Sequence, residues 1–375
     1  MRRARGAGSG AGSGGPGSLM ETVRLPKGWP GPRGATAVCR YPLGVPASVS
    51  PPPGPSDRRP RGAAEGAVPL RPAATVMLVR DAPSPSGGTA LEVLMVRRNL
   101  RSDFVGGAYV FPGGAVDPLD GGAEAEALCA GRTDAQASAL LGFEAGGLAY
   151  WVAVVRETFE EAGLLLARRD GGPALLNGDP DEEARFAAER RAVNDGSRRF
   201  LDLVRDERLR LSVGDIHYFA HWITPRGAPR RYDTRFFVAA APSGQIAAHD
   251  AGETIAEVWI TPHDALARHR AGEIEIIFPT IRNLQAIGRF TTSAELLDAA
   301  ERASSAVPVI EPRVVPDGSG MRIVLPGDPE YDRGSVPDPA GDGARLDFNA
   351  AVREVSMRAN VEGPEGAPGP RPAGS

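Results

Sequence analysis

Residues 151 to 163, "WVAVVRETFEEAG", carry three carboxylates, Glu157, Glu160 and Glu161, at the end of an otherwise apolar helical run. At 3.6 residues per turn, Glu160 and Glu161 fall roughly 60° to one side and 40° to the other of Glu157, within an arc of ~100°. Carboxylates this close repel one another, and the single neighbouring cation, Arg156, does not neutralise three of them. An acidic cluster of this kind is either a solvated face or a site for a hard divalent cation, which prefers carboxylate oxygens. The helix starts in a buried-type run, "YWVAVV", and stops at Gly163 before "LLL", so a solvated face fits it poorly.

The stretch lies in the middle of the chain, and the ends are of another character. The 375 residues include 47 Gly and 35 Pro, and the excess lies at the two termini. Residues 1–70 mix Gly, Ser and Pro without apolar periodicity, which predicts a disordered arm. Residues 341–375 read as a mostly disordered tail. Between them, 71–304 is the expected catalytic domain and 305–340 a β-hairpin appendage around "PDGSG". Met20 is a second candidate start. A net charge of −4 carries no nucleic-acid footprint. No segment reaches the ~20 apolar residues of a membrane span. Two cysteines, Cys39 and Cys129, make neither a disulfide framework nor a zinc site. A cytoplasmic protein is expected, and the C-terminal "PAGS" is not a peroxisomal address.

Strands are expected at 74–81 and 91–99 as an antiparallel pair, and at 107–117, ending in a Pro-Gly-Gly turn. Further strands are read in "IHYFAHWITP", "RYDTRFFVAAAP" and "ETIAEVWITP". Helices are expected at 151–163, 181–193, 198–210, 261–272, 281–287 and 293–304. A short one between Thr133, with Gln136 at the capping-box position, and Gly142 completes the set. His217 and His221, four apart in a strand, are expected on one face; with no third ligand nearby they do not suggest zinc.

"RETFEEAG" followed by Leu164 resembles the second half of the Nudix box, and "FPGGAVDPLD" resembles the first, with Gly114 at its opening glycine. Three departures stand out. Asp120 replaces the usual Glu, Thr158 replaces an aliphatic residue, and 35 residues, 121 to 155, separate Asp120 from Arg156 where the box has seven. An insertion at this place, with "VLMVRRNLRSDFVGGAYVFPGGAVD" upstream and "WITPHDALARHRAGEIEI" downstream, resembles the branch of animal peroxisomal coenzyme A diphosphatases of the Nudix-19 type. The resemblance covers 70 to about 290 and implies an α/β fold, a Nudix α/β/α sandwich around a mixed sheet, with a helical insertion at 121–150.

It also implies site residues. Glu157, Glu160 and Glu161 would be the metal ligands for Mg2+ or Mn2+. Arg156 would orient them or, with Asp120, brace the loop, and Glu253 is a candidate general base. Gly113 and Gly114 would allow close backbone approach. Arg97, Arg101 and Arg235 are candidate phosphate contacts, since guanidinium forks suit phosphate oxygens; Arg98 belongs to the same group. Phe236, Phe237 and Trp259 are read as core residues, and Trp222 is considered for stacking on an adenine. The implied activity is cleavage of a nucleoside diphosphate derivative, foremost coenzyme A or an acyl-CoA, with ADP-ribose, NADH and dinucleoside polyphosphates as alternatives. The rival from another class is a Nudix-fold ligand sensor or interaction module that has lost catalysis. The expected partner is a small nucleotide, with no nucleic acid and no membrane, and a homodimer is the protein partner considered. A lid over the acyl or pantetheine arm is the role considered for the insertion.

Overall fold

Alternating β-branched and apolar residues build the central sheet. The computed structural model describes residues 68–84, 87–100, 106–169, 175, 178–249, 254–317 and 320–331. β1 (Leu70–Pro83) pairs antiparallel with β2 (Thr89–Arg98), as expected, and parallel with β8 (Arg231–Ala240) over ten registered positions. β8 forms a hairpin with β7 (Ile216–Ile223). β9 (Thr254–Ile260) and β3 (Tyr109–Val110) both pair with β2, and β4 (Gly113–Ala115) pairs with β1. β10 (Val309–Ile310) adds a parallel edge beside β7. The sheet is therefore mixed, in the order β10-β7-β8-β1-β2-β3, with β4 and β9 off that path.

Strand periodicity splits the sheet residues between two faces. Ala74, Val76 and Leu78 of β1, with Phe237 of β8, join the core under α3 (Leu148–Ala162). α1 (Gly122–Leu128), α2 (Asp134–Leu141), α4 (Pro180–Asn194) and α5 (Phe200–Asp206) pack around it on that side, with the small ribbon β5 (Ala167–Arg169) and β6 (Leu209–Leu211). α6 (Pro262–Arg270), α7 (Phe278–Ile287) and α8 (Ser293–Ala303) complete the helices, α6 contacting β2 and α8 contacting β1, β7 and β8. β11 (Arg313–Asp317) and β12 (Gly320–Val324) form the expected C-terminal hairpin. Among the described residues no helix is long and apolar enough to cross a membrane.

α3 forms because "LAYWVAVV" supplies an apolar surface all round and Gly163, at φ +68°, ends the helix in the left-handed conformation. Trp151 is fully buried, donates its indole N–H to the Ile216 carbonyl at 2.9 Å and meets the Phe237 ring at 4.7 Å. α2 has the expected capping box, with Thr133 Oγ1 accepting the Gln136 amide at 3.2 Å and Gln136 Oε1 accepting the Thr133 amide at 3.0 Å.

Four local expectations change. Gly113 and Gly114 lie in β4, not in a turn. The helix expected at 198–210 ends at Asp206 and is followed by β6. α1 has no signal in the sequence that we read. A bulge between Tyr218 and Ala220 pairs His217 with Val238 but His221 with Arg235, so these histidines face opposite sides of the sheet. Cys129 is a buried free thiol, pushed up to about 12 by that burial, and it stays protonated and unreactive.

Candidate active site

The C-terminal half of α3 crosses β4, and the two glycines there have separate reasons. At Gly113, with φ +152°, a Cβ would stand 2.4 Å from the Ala74 carbonyl oxygen, so any side chain collides with β1. At Gly114 a Cβ would stand 2.5 Å from Glu157 Oε1, in the space that the carboxylate fills. The Gly113 amide donates to Glu161 Oε2 at 2.9 Å. Backbone and acidic helix are thereby locked together.

Arg156 organises the other side of the cluster. Its Nε and Nη2 donate to Asp120 Oδ1 and Oδ2 at 2.8 and 2.9 Å, a bidentate pair with a nearly buried carboxylate. Nη2 also donates to the Ala115 carbonyl at 2.8 Å, and Nη1 to Glu157 Oε1 at 2.9 Å and Glu160 Oε2 at 3.0 Å. Both readings made of Arg156 thus have a geometric counterpart, since it touches the glutamates and ties Asp120 to the helix. Asp120 has a second task, accepting the Asp117 amide at 2.8 Å in a reciprocal cap of the short 3-10 turn 118–120. The shorter Asp reaches both partners.

Burial pushes the Glu160 carboxyl up to about 7, against the pull of Arg156 and helped by the neighbouring Glu157 charge. The Glu160 carbonyl accepts from Arg190 Nε at 3.0 Å, Arg190 Nη2 at 2.8 Å and Asn194 Nδ2 at 3.3 Å, and the Glu161 carbonyl from Thr254 Oγ1 at 3.1 Å. The end of α3 is therefore pinned by α4 and by the start of β9.

A cleft of about 460 Å³ opens over this cluster. Glu157, Glu161, Gly113 and Gly114 line one end, and Arg71, Arg98 and Tyr232 add polar groups. Trp222, Phe278, Pro312 and Ile323 line it as well, the last two contributed by the C-terminal hairpin and the segment leading into it. A larger hollow of about 620 Å³ lies beside Arg97, Tyr109 and His269. It is lined by none of Glu157, Glu160 and Glu161, so the smaller cleft is the candidate site.

The predicted residues divide accordingly. Glu157, Glu161, Gly113 and Gly114 meet in the cleft, while Glu160 lies behind them on Arg156. Arg97 lies elsewhere, in the larger hollow, with its Nε donating to the Gly107 carbonyl at 3.2 Å; Arg98, one residue on, faces the cleft. Arg235 is also displaced from the expected role. It is buried under α3, paired with Asp233 and stacked over Phe143 and Tyr150 at 5.2 and 5.4 Å. Strand parity explains this, because Tyr232, Thr234 and Phe236 of β8 face the cleft and Asp233, Arg235 and Phe237 face away. His221 Nε2 lies 2.5 Å from Asp233 Oδ1 in the same buried group. Arg101 and Glu253 lie outside the described residues. Among the described residues of the insertion, none lines the cleft. Trp222, considered for stacking on an adenine, lines the cleft.

Among the described residues no three His, Cys, Asp or Glu side chains converge as a ready ligand set. The reason is visible in the contacts, since Arg156 draws Glu160 away and Glu161 turns to the Gly113 amide. The charge balance nonetheless suits a divalent cation. Asp120, Glu157 and Glu160 share one guanidinium, and Glu161 adds a further carboxylate.

Comparison with known proteins finds similarities to one family. A family model described as the NUDT19 Nudix domain matches residues 144–287. The acyl-coenzyme A diphosphatase NUDT19 of Gallus gallus is 29% identical over 300 residues, covering 70% of this chain and 79% of that protein. Its Homo sapiens counterpart is 28% identical over 282 residues, covering 66% and 74%. Among solved structures, a NUDIX hydrolase from Alicyclobacillus acidocaldarius is 27% identical, covers 64% of this chain and 98% of that chain, and has a TM-score of 0.48.

Proposed function

We infer that this chain is a Nudix hydrolase of the NUDT19 type and that it cleaves the diphosphate of coenzyme A or of an acyl-coenzyme A. The products are 3′-phosphoadenosine 5′-phosphate and phosphopantetheine or its acyl form. One observation carries the reading: Glu157 and Glu161 line one cleft of about 460 Å³ together with Arg71 and Arg98. The similarity to proteins named acyl-coenzyme A diphosphatase supports the choice of substrate.

Glu157, Glu160 and Glu161 are the side chains assigned to Mg2+ or Mn2+. When bound, such a cation neutralises diphosphate oxygens and makes water a competent nucleophile near neutral pH. The protein supplies the rest. Arg156 keeps the carboxylates in register, and the Gly113 amide orients Glu161. Arg71 and Arg98 attract the phosphates, and Gly114 leaves room for Glu157. Glu253 is kept as the candidate general base; support comes from its neighbour Thr254, which hydrogen-bonds the end of α3. A reducing, cytoplasmic setting belongs to the same reading.

The test is product formation from coenzyme A with Mg2+ by the parent and by Glu161→Gln. The parent is expected to release 3′-phosphoadenosine 5′-phosphate, and the variant to lose roughly a hundredfold or more in kcat/KM. A variant as fast as its parent would show that the acidic helix is not the catalytic centre.

A further inference from the structure

We propose that the apolar part of the cleft receives the arm of the substrate remote from the nucleoside, an amide-bearing thioester chain, and that the β11–β12 hairpin discriminates what that arm carries. The inference rests on the coenzyme A reading above and adds a specificity role to an element that has none in it.

Continuity is the first support. Glu157 and Glu161 share one cleft with Trp222 of β7, Phe278 of α7, and Pro312 and Ile323 of the hairpin region. A diphosphate and a ribose gain nothing from such walls, whereas a methylene chain gains transfer free energy from each group withdrawn from water, and an adenine in its place would leave the octanoyl-to-free ratio of the test below unchanged. The walls come from three elements distant in sequence, so the apolar surface belongs to the folded cleft and not to one local run.

Trp222 fixes one of these walls, since it is 3% exposed and its ring meets Phe278 edge-on at 5.9 Å.

The hairpin is held in place for this task. Arg231 of β8 donates to Glu311 at 2.6 Å, the Tyr331 hydroxyl donates to the Glu311 carbonyl at 2.8 Å, and the Arg313 guanidinium lies 4.0 Å above the Tyr331 ring. Its base is thus tied to the central sheet beside the cleft.

The experiment compares kcat/KM for free coenzyme A and for octanoyl-coenzyme A in the full chain, with Ile323→Asp and Ile323→Trp. In Ile323→Asp the octanoyl-to-free ratio is expected to fall roughly tenfold or more, because a charge then sits where the chain must be desolvated. In Ile323→Trp, which fills the space without adding charge, the preference is expected to move to shorter acyl chains. Thermal melts identify a variant that has merely unfolded, and Ile323→Trp keeps the test open if Ile323→Asp does so. A folded variant that retains the parental ratio and chain-length preference overturns the assignment of the hairpin. A parent that cleaves no coenzyme A derivative overturns the substrate reading, and this inference with it.

Discussion

The carboxylates of Asp120, Glu157 and Glu160 share the guanidinium of Arg156, and this arrangement decides how the site responds to pH and to substitution. Glu160, held up at about 7 from an ordinary 4.5, binds its proton more tightly when folded than when unfolded. Its contribution therefore favours the native state below about pH 4.5 and is lost as pH rises through about 7. His217 and His221, both pushed down by burial, act in the opposite sense, since they favour the native state once the unfolded histidines have lost their protons. The Glu160 term is isolated by comparing the parent with Glu160→Gln. At pH 8 in EDTA the variant is expected to be more stable, by on the order of 1 kcal/mol after allowance for solvent screening, and the difference to shrink as pH falls through about 7 and to vanish by about pH 4. Urea denaturation at the two pH values measures it, and saturating Mg2+ is expected to stabilise the parent more than the variant. Asp120 answers differently. Asp120→Ala leaves Arg156 with two broken bonds in a nearly buried setting, for a loss of about 3 kcal/mol, read from the same denaturation curves.

At the scale of elements, β4 carries two glycines that a sequence reading treats as one turn and that the fold uses for different ends. Gly113→Ala drives a Cβ into the main chain of β1, which cannot move without breaking the sheet, and is expected to cost more than about 3 kcal/mol. Gly114→Ala meets only the end of the Glu157 side chain, which can swing aside. It is expected to keep most of its stability and to lose roughly tenfold or more in kcat, because Glu157 leaves its position. Circular dichroism melts beside steady-state rates separate the two outcomes; equal stability losses would mean that the two positions are not distinct. The same elements mark what was legible beforehand. The acidic face of α3, the cap at Thr133 and the stop at Gly163 follow from local chemistry, so the sequence contained them. The parallel pairing of β1 with β8 joins segments some 160 residues apart and has no local signal. Side-chain parity across that pairing, with the bulge in β7, decides that Arg235 is buried while Trp222 reaches the cleft, and neither follows from the composition of either strand.

Seen over the whole molecule, the insertion between the two halves of the acidic motif anchors the motif from behind. Asp134 at the start of α2 accepts the amides of Gly146 and Leu148, each at 2.9 Å, and Ser138 Oγ accepts the amide of Gly147 at 2.8 Å. These donors belong to the first turn of α3 and the residues before it, whose own N-cap, Gly147, has no side chain to offer. A carboxylate there also complements the positive end of the helix dipole. Arg132 extends the anchor, stacking 5.0 Å over the Trp151 ring and hydrogen-bonding the carbonyls of Val213 and Gly214 at 3.4 Å. Ala125 and Ala137 complete it as members of the same core as α3. An anchor and a lid differ in what they do to stability. A lid opens far below the global unfolding free energy, so its amides exchange quickly with solvent. An anchor exchanges with the core. The amides of α2 are therefore expected to be protected to the same degree as those of α3 in native-state hydrogen exchange. Asp134→Ala is expected to lower that common protection by about 1 to 2 kcal/mol while leaving KM for coenzyme A unchanged. Fast exchange confined to α2, with α3 unaffected by the substitution, would return the insertion to the role of a moving cover and leave the N-terminus of α3 without its cap.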